Sequence, residues 1–159
     1  MSAAVLAQDE DLVAAVAAQV VAGTPRSRVD LAGLLQGLLP WPAASELDTL
    51  APARLPIPSG RTAAVVYPEV GDDGQPVLAA KLQEFFGASG TPTVADGRQP
   101  VLLHLLSPAG RPLAVTADLP SFWAGAYAHV RADMRGRYPK HPWPEDPTTA
   151  EATGRTRRR

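Results

Sequence analysis

Arg131, Arg135, Arg137 and Lys140 are interleaved with Tyr138, His141 and Trp143 in one short stretch of this 159-residue chain. Guanidinium and ammonium groups hold phosphates, and aromatic rings stack on unpaired bases. The mixture is therefore the chemistry of a surface for single-stranded nucleic acid. Arg61, after the Ser59-Gly60 turn, and Arg111, after Ser107-Pro108-Ala109-Gly110, are candidates to extend that surface. A structural reading stands beside it. Tyr138 and Trp143 can instead pin an extended segment onto its own domain, while Pro139, Pro142, Pro144 and Pro147 limit its conformational freedom.

Catalytic chemistry finds less to work with. His104, His129 and His141 are far apart in sequence, and none sits in H-x-x-x-H or H-E-x-x-H spacing. His104 lies in an apolar run and reads as a histidine at the edge of the core. Ser59 and Ser107 occupy Pro/Gly turns without the G-x-S-x-G context of a nucleophile. Asp72-Asp73 and Glu145-Asp146 are adjacent pairs, and neighbours on an extended chain point apart. Cysteine is absent, which removes disulfides, thiol nucleophiles and thiolate metal sites. No catalytic residue and no metal site is expected.

Net charge is −1, but it is unevenly spread. Residues 1–130 carry 7 Lys/Arg against 12 Asp/Glu, or −5, and residues 131–159 carry 8 against 4, or +4. A basic end on an acidic chain suits either a polyanion-facing tail or a solubilising terminus. Apolar residues make up 45% of the chain, enough for a core, and 17 prolines point to many loops and extended connections. No apolar run approaches the roughly 18 residues that span a bilayer, and no signal-peptide pattern opens the chain. A cytoplasmic location is the expectation.

The elements that must position the basic cluster follow from periodicity. Asp9, Glu10 and Asp11 suit a helix start, and Leu12, Val13, Val16, Ala17, Val20 and Val21 form a stripe at helical spacing, ended by Gly23 and Pro25. A second helix opens at Asp30 as N-cap with Leu31, Leu34, Leu35, Leu38 and Leu39, and stops at Pro40. The segment 51–58, with prolines at 52, 56 and 58, reads as a linker and an internal boundary. Beyond it, 62–67, 77–80, 101–106 and 113–116 are short runs compatible with strands. The segment 107–110 is a hairpin turn, and 88–100 an irregular loop. Leu82, Phe85 and Phe86 before Gly87 suggest a turn or two of helix. A last helix follows Pro120, with Phe122, Trp123, Ala126, Tyr127, Val130 and Met134 on its apolar face and Gly136 closing it. The class is α+β: an N-terminal helical pair, a small mostly antiparallel sheet, a C-terminal helix packed on it, and an extended Pro-rich basic tail. The expected division is a helical segment 1–46, an α+β domain 47–147 and a disordered basic tail 148–159.

Several strings occur in a characteristic order. Pro58-Ser59-Gly60-Arg61, Tyr67-Pro68, Leu82-Gln83-Glu84 and Phe86-Gly87 come first. Leu105-Leu106-Ser107-Pro108-Ala109-Gly110-Arg111-Pro112, Val115-Thr116-Ala117-Asp118-Leu119 and Phe122-Trp123 follow. Tyr127, Val130-Arg131 and the run from Gly136 to Pro147 complete the order. From about Leu47 onward, this pattern resembles the C-terminal region of the bacterial ATP-dependent helicases of the DEAH/RHA type called HrpB. The resemblance implies an accessory C-terminal domain of an RNA helicase. It implies contact with single-stranded nucleic acid, with RNA the expected strand, and with the helicase core domains as partners. A purely structural or protein-docking module is the alternative.

The phosphate loop G-x-x-x-x-G-K-[ST] of such a motor does not occur in this sequence, nor does an Asp-Glu-Ala-His box. The cluster Gly71-Asp72-Asp73-Gly74 is acidic, would repel phosphate, and reads as a turn. The chain is thus not expected to act as an enzyme by itself or to hold a cofactor. ATP and magnesium would enter only through a motor domain elsewhere.

Overall fold

In the computed structural model, residues 10–38, 43–69 and 71–154 are described, and they fall into two units. One comprises residues 1–48 with 69–73, and the other residues 49–68 with 74–159.

The first unit is helical. Helix α1 spans Glu10–Val21 and α2 spans Leu31–Leu38, with a 3-10 turn at Arg26–Arg28 between them. Asp30 caps α2 by accepting a hydrogen bond from the Gly33 amide at 2.9 Å, which satisfies an amide left orphaned at a helix start. Leu12 is buried and Ala15, Val16, Gln19 and Val20 half-buried, a stripe with a 3.6-residue period. Val13, Ala17 and Val21, expected on that stripe, are exposed instead. Asp9, Leu39 and Pro40 lie outside the described residues. A third helix, α3 (Ala43–Leu50), extends the expected pair to three.

The second unit is built on five strands: β1 (Arg54–Pro56), β2 (Thr62–Val66), β3 (Val77–Lys81), β6 (Leu102–Leu106) and β7 (Pro112–Thr116). Their order is β1-β2-β3-β6-β7, antiparallel throughout except where β3 pairs with β6. The linker expected over residues 51–58 is therefore corrected, because its middle is the edge strand β1. Prolines are tolerated there since an edge strand leaves one side of its ladder unpaired. The loop 88–100 likewise holds a small ribbon, β4 (Thr93–Val94) paired with β5 (Gln99–Pro100), turned by Ala95, Asp96 and Gly97 at positive φ.

Alternation sorts the sheet. Ala63, Val65, Leu78, Ala80, Leu103 and Leu105 point inward, onto Leu82, Phe85 and Phe86 and two C-terminal helices. These are α4 (Leu119–Ala124) and α5 (Ala126–Arg137), one expected helix broken at Gly125. Asp118 caps α4 with its carboxylate on the Ser121 amide and hydroxyl, at 3.0 and 2.6 Å. Phe122, Trp123 and Tyr127 meet over the sheet in tilted and edge-to-face pairs, with Trp123 and Tyr127 centroids 5.3 Å apart at 88°. Of the expected apolar face only Ala126 is exposed.

The described part of the segment from residue 148, expected as a disordered tail, makes contacts with the second unit. The Thr153 amide donates to the Gln83 carbonyl at 3.0 Å, the Gly87 amide donates to the Pro147 carbonyl at 2.8 Å, and Ala150 packs on the core. Residues 155–159 lie outside the described residues. Among the described residues no helix is long and apolar enough to cross a membrane.

Candidate nucleic-acid interface

Helix α5 presents the basic residues and the segment after it folds back over the second unit as a strap. The helix ends where the Tyr138 amide bonds the Met134 carbonyl at 2.8 Å, and proline at 139 prevents continuation. Arg135 and Arg137 sit in its last turn, where positive charge suits the helix dipole.

The strap is tied by four side chains. Tyr127 Oη donates to the Pro144 carbonyl at 2.8 Å, and Arg131 Nε donates to the Trp143 carbonyl at 3.0 Å. Arg131 Nη2 also pairs with Glu145 Oε1 at 3.1 Å. Trp143 Nε1 donates to the Tyr138 carbonyl at 3.0 Å, while its ring packs half-buried against the core. Asp146 closes a local turn by accepting from the Thr148 amide and from the hydroxyls of Thr148 and Thr149, and those bonds hold its carboxyl below the usual range.

Strand direction explains what lies next to the strap. β1, β3 and β6 run the same way, so their C-terminal ends share one end of the sheet. That end collects the β1–β2 turn with Arg61, the 3-10 turn Leu82–Glu84, and the β6–β7 turn with Arg111. Glu84 is the hub. Its side chain is only 2% exposed and takes Arg61 Nη1 at 2.7 Å on one oxygen and the Lys81 amide at 3.1 Å on the other. A buried carboxylate needs such compensation. Beside it, Gln83 Oε1 lies 2.9 Å from His141 Nδ1, which joins the strap to the same end of the sheet. Arg111 is fixed by its backbone, through the Ser107 hydroxyl at 3.0 Å, leaving its side chain exposed. The turns bearing Arg61 and Arg111 are three strand spacings apart, about 14 Å.

The sequence-derived cluster thus divides. Arg131 and Arg61 are engaged in ion pairs that build the unit. Tyr138 and Trp143 are half-buried, with the Tyr138 ring edge-on to His141 at 6.2 Å. Burial, and then the charge of Lys81, push the His141 imidazole below its ordinary range, so it is neutral near pH 7. Burial raises the Tyr127 phenol to about 12 despite nearby Arg131, which keeps it a hydrogen-bond donor. Arg135, Arg137, Lys140 and Arg111 remain exposed, without a side-chain hydrogen bond or ion pair among the described residues.

Of the remaining histidines, His104 is half-buried in the sheet between Ala79 and Val115, and His129 is exposed on α5. Among the described residues no three His, Asp or Glu side chains converge as a metal would need. Gln83 and Glu84 were not singled out as site residues in the sequence. Two polar residues between Leu82 and Phe85-Phe86, in an otherwise apolar run, were the available signal.

Residues 13–147 match the family described as ATP-dependent helicase C-terminal, so the match begins well before Leu47 and takes in α2 and most of α1. The chain is 47% identical over 130 residues to the ATP-dependent RNA helicase HrpB of Escherichia coli strain K12, covering 82% of this chain and 16% of that protein. The crystal structure of the E. coli DExH-box NTPase HrpB matches with a TM-score of 0.78 and 43% identity, over 94% of this chain and 19% of that one. A crystal structure of the E. coli DEAH/RHA helicase HrpB matches with a TM-score of 0.61 and 40% identity, over 86% of this chain and 18% of that one. This chain therefore spans less than a fifth of the length of these relatives.

Proposed function

Because this chain belongs to the family of HrpB-type ATP-dependent helicase C-terminal domains, we propose that it serves as the non-catalytic accessory part of such a helicase. In this reading it contacts the nucleic-acid backbone while a motor carried elsewhere binds ATP and magnesium. The observation that carries it is the set of exposed, unengaged cations: Arg135 and Arg137 in the last turn of α5 and Lys140 just beyond it, beside a strap tied through Arg131 and Trp143. RNA is the strand of choice, by similarity to a relative named as an RNA helicase. The helicase core domains are the protein partners, and a cytoplasmic location is part of the same reading.

At 0.1 M salt each phosphate neutralised on a single strand contributes about fivefold to affinity. Replacing Arg135 and Arg137 by alanine should therefore weaken binding to a single-stranded RNA about 25-fold, measured by fluorescence anisotropy on the intact chain. Unchanged affinity would remove the nucleic-acid role. The pure chain should also show no ATP turnover above background.

A second reading is favoured by the ion pairs themselves. In the ion pairs of Arg131 with Glu145 and Arg61 with Glu84, two of the five expected guanidinium groups build the domain. A docking module that braces the helicase core needs no other basic residue, and it is the reading left standing if the arginine variants bind RNA as well as the parent.

A further inference from the structure

We propose that the groove between α4 and the strap is a docking site for a protein segment that carries an arginine or lysine beside apolar residues. The inference is independent of the nucleic-acid reading, since it concerns an acidic surface and a different partner.

The groove has a volume of about 480 Å³, within the roughly 300–1,000 Å³ of pockets that hold a small ligand. Its apolar walls are Pro120, Trp123 and Ala124 of α4 on one side and Pro147 of the strap on the other. Glu145 and Asp146 are its charged residues, and no lysine or arginine lines it. The Trp123 indole nitrogen is already on the Ala88 carbonyl at 3.1 Å, so that ring offers a partner only its carbon atoms.

Both walls are held in place by the chain itself. Asp118 caps α4, and the strap is fixed on either side of the acidic pair, by the Pro144 carbonyl on Tyr127 and the Pro147 carbonyl on the Gly87 amide. A preformed shape lowers the ordering cost of binding. The two carboxylates keep acceptor capacity for a partner. Arg131 takes only Oε1 of Glu145, whose side chain stays 90% exposed. Asp146 is exposed, and its bonds to Thr148 and Thr149 favour its charged form.

This chemistry selects the occupant. Phosphate would be repelled by the acidic pair, and a purely apolar segment would leave the carboxylates facing hydrocarbon. A long basic side chain satisfies both halves, with its aliphatic stem along the tryptophan and proline walls and its charged head on the carboxylates. The groove is larger than one such side chain. Apolar neighbours fill the rest, and a peptide has them where a free amine does not.

The test is an NMR titration of the isotope-labelled intact chain with the peptide acetyl-Pro-Leu-Arg-Pro-Leu-amide, read at the Trp123 indole and the Ser89 and Thr148 amides. Saturable shifts confined to the groove are expected, with a dissociation constant of about 1 mM, the scale of one or two exposed ion pairs and a small apolar contact. The same peptide with glutamate for arginine should not bind. Ala124 is exposed at the end of α4 and makes none of the strap's bonds, so its charge can be varied without disturbing the fold. Ala124→Lys should weaken the basic peptide about fivefold and Ala124→Glu should tighten it by a similar factor, the reach of one exposed charge pair. Equal binding of the two peptides, or an affinity indifferent to charge at Ala124, would overturn the proposal. So would the absence of shifts at about 5 mM peptide. Equal shifts from spermidine or from single-stranded RNA would place another class of ligand in the groove and overturn it as well. Shifts at these signals in the free chain on removing residues 155–159, or on dilution, would assign the groove to the chain's own tail or to a second copy, with the same consequence.

Discussion

His141 shows how one side chain of the basic segment can be structural. Its Nδ1 faces Gln83 Oε1 at 2.9 Å, so the neutral imidazole donates, and burial together with Lys81 disfavours the charged form. A base whose folded-state pKa lies below its unfolded value stabilises the fold fully above the unfolded value of 6.5. That contribution is lost as the pH falls through the lower folded value. A His141→Gln variant can still donate to Gln83 but does not titrate. Its melting temperature should lie below that of the parent at pH 7, and the gap should shrink as pH is lowered toward 5. Parallel pH profiles for the two proteins would show that His141 is not held in its neutral form. At this scale the residue types were legible in sequence, but their partners were not. Glu84, which claims Arg61, lies 23 positions away, and Gln83, which claims His141, lies 58 away. No local pattern encodes either pairing.

Regular elements were read where the signal was local. The β-compatible runs 62–67 and 101–106 appear as Thr62–Val66 and Leu102–Leu106, and the Asp30 cap and the Ser107–Gly110 turn appear where they are expected. Two of the elements that escaped did so for a clear physical reason. The edge strand β1 is defined by pairing Arg54 with Ala64 and Pro56 with Thr62, and its prolines read locally as a linker. The strap beyond Pro147 has almost nothing apolar to mark it as folded, yet Ala150 packs on the core and Thr153 bonds Gln83. Deleting residues 148–159 should accordingly destabilise the second unit by about 1–2 kcal/mol, the scale of one or two buried backbone hydrogen bonds and a small apolar contact. Urea unfolding measures it. A deletion that leaves the midpoint unchanged would restore the picture of a dispensable tail from residue 148.

For the whole molecule, charge asymmetry was the feature most visible in sequence and the one whose meaning the fold changed most. Part of the basic end is internal cement: Arg131 holds the strap, as Arg61 from the acidic part of the chain holds Glu84. Among the described residues of that end Arg135, Arg137 and Lys140 face solvent, while Tyr138, His141 and Trp143 are half-buried. The nucleic-acid contact proposed above is electrostatic, and counterion release would give it a quantitative signature. For a single strand, log affinity against log salt falls by about 0.7 per phosphate neutralised. The decisive measurement is that slope for the intact chain and for an Arg135→Ala/Arg137→Ala/Lys140→Ala variant, titrated with single-stranded RNA. The variant's slope should be shallower by about 2, for three lost contacts. Identical slopes, with the parent binding normally, would contradict the assignment of these three residues to the backbone and leave the domain as a brace for its helicase core.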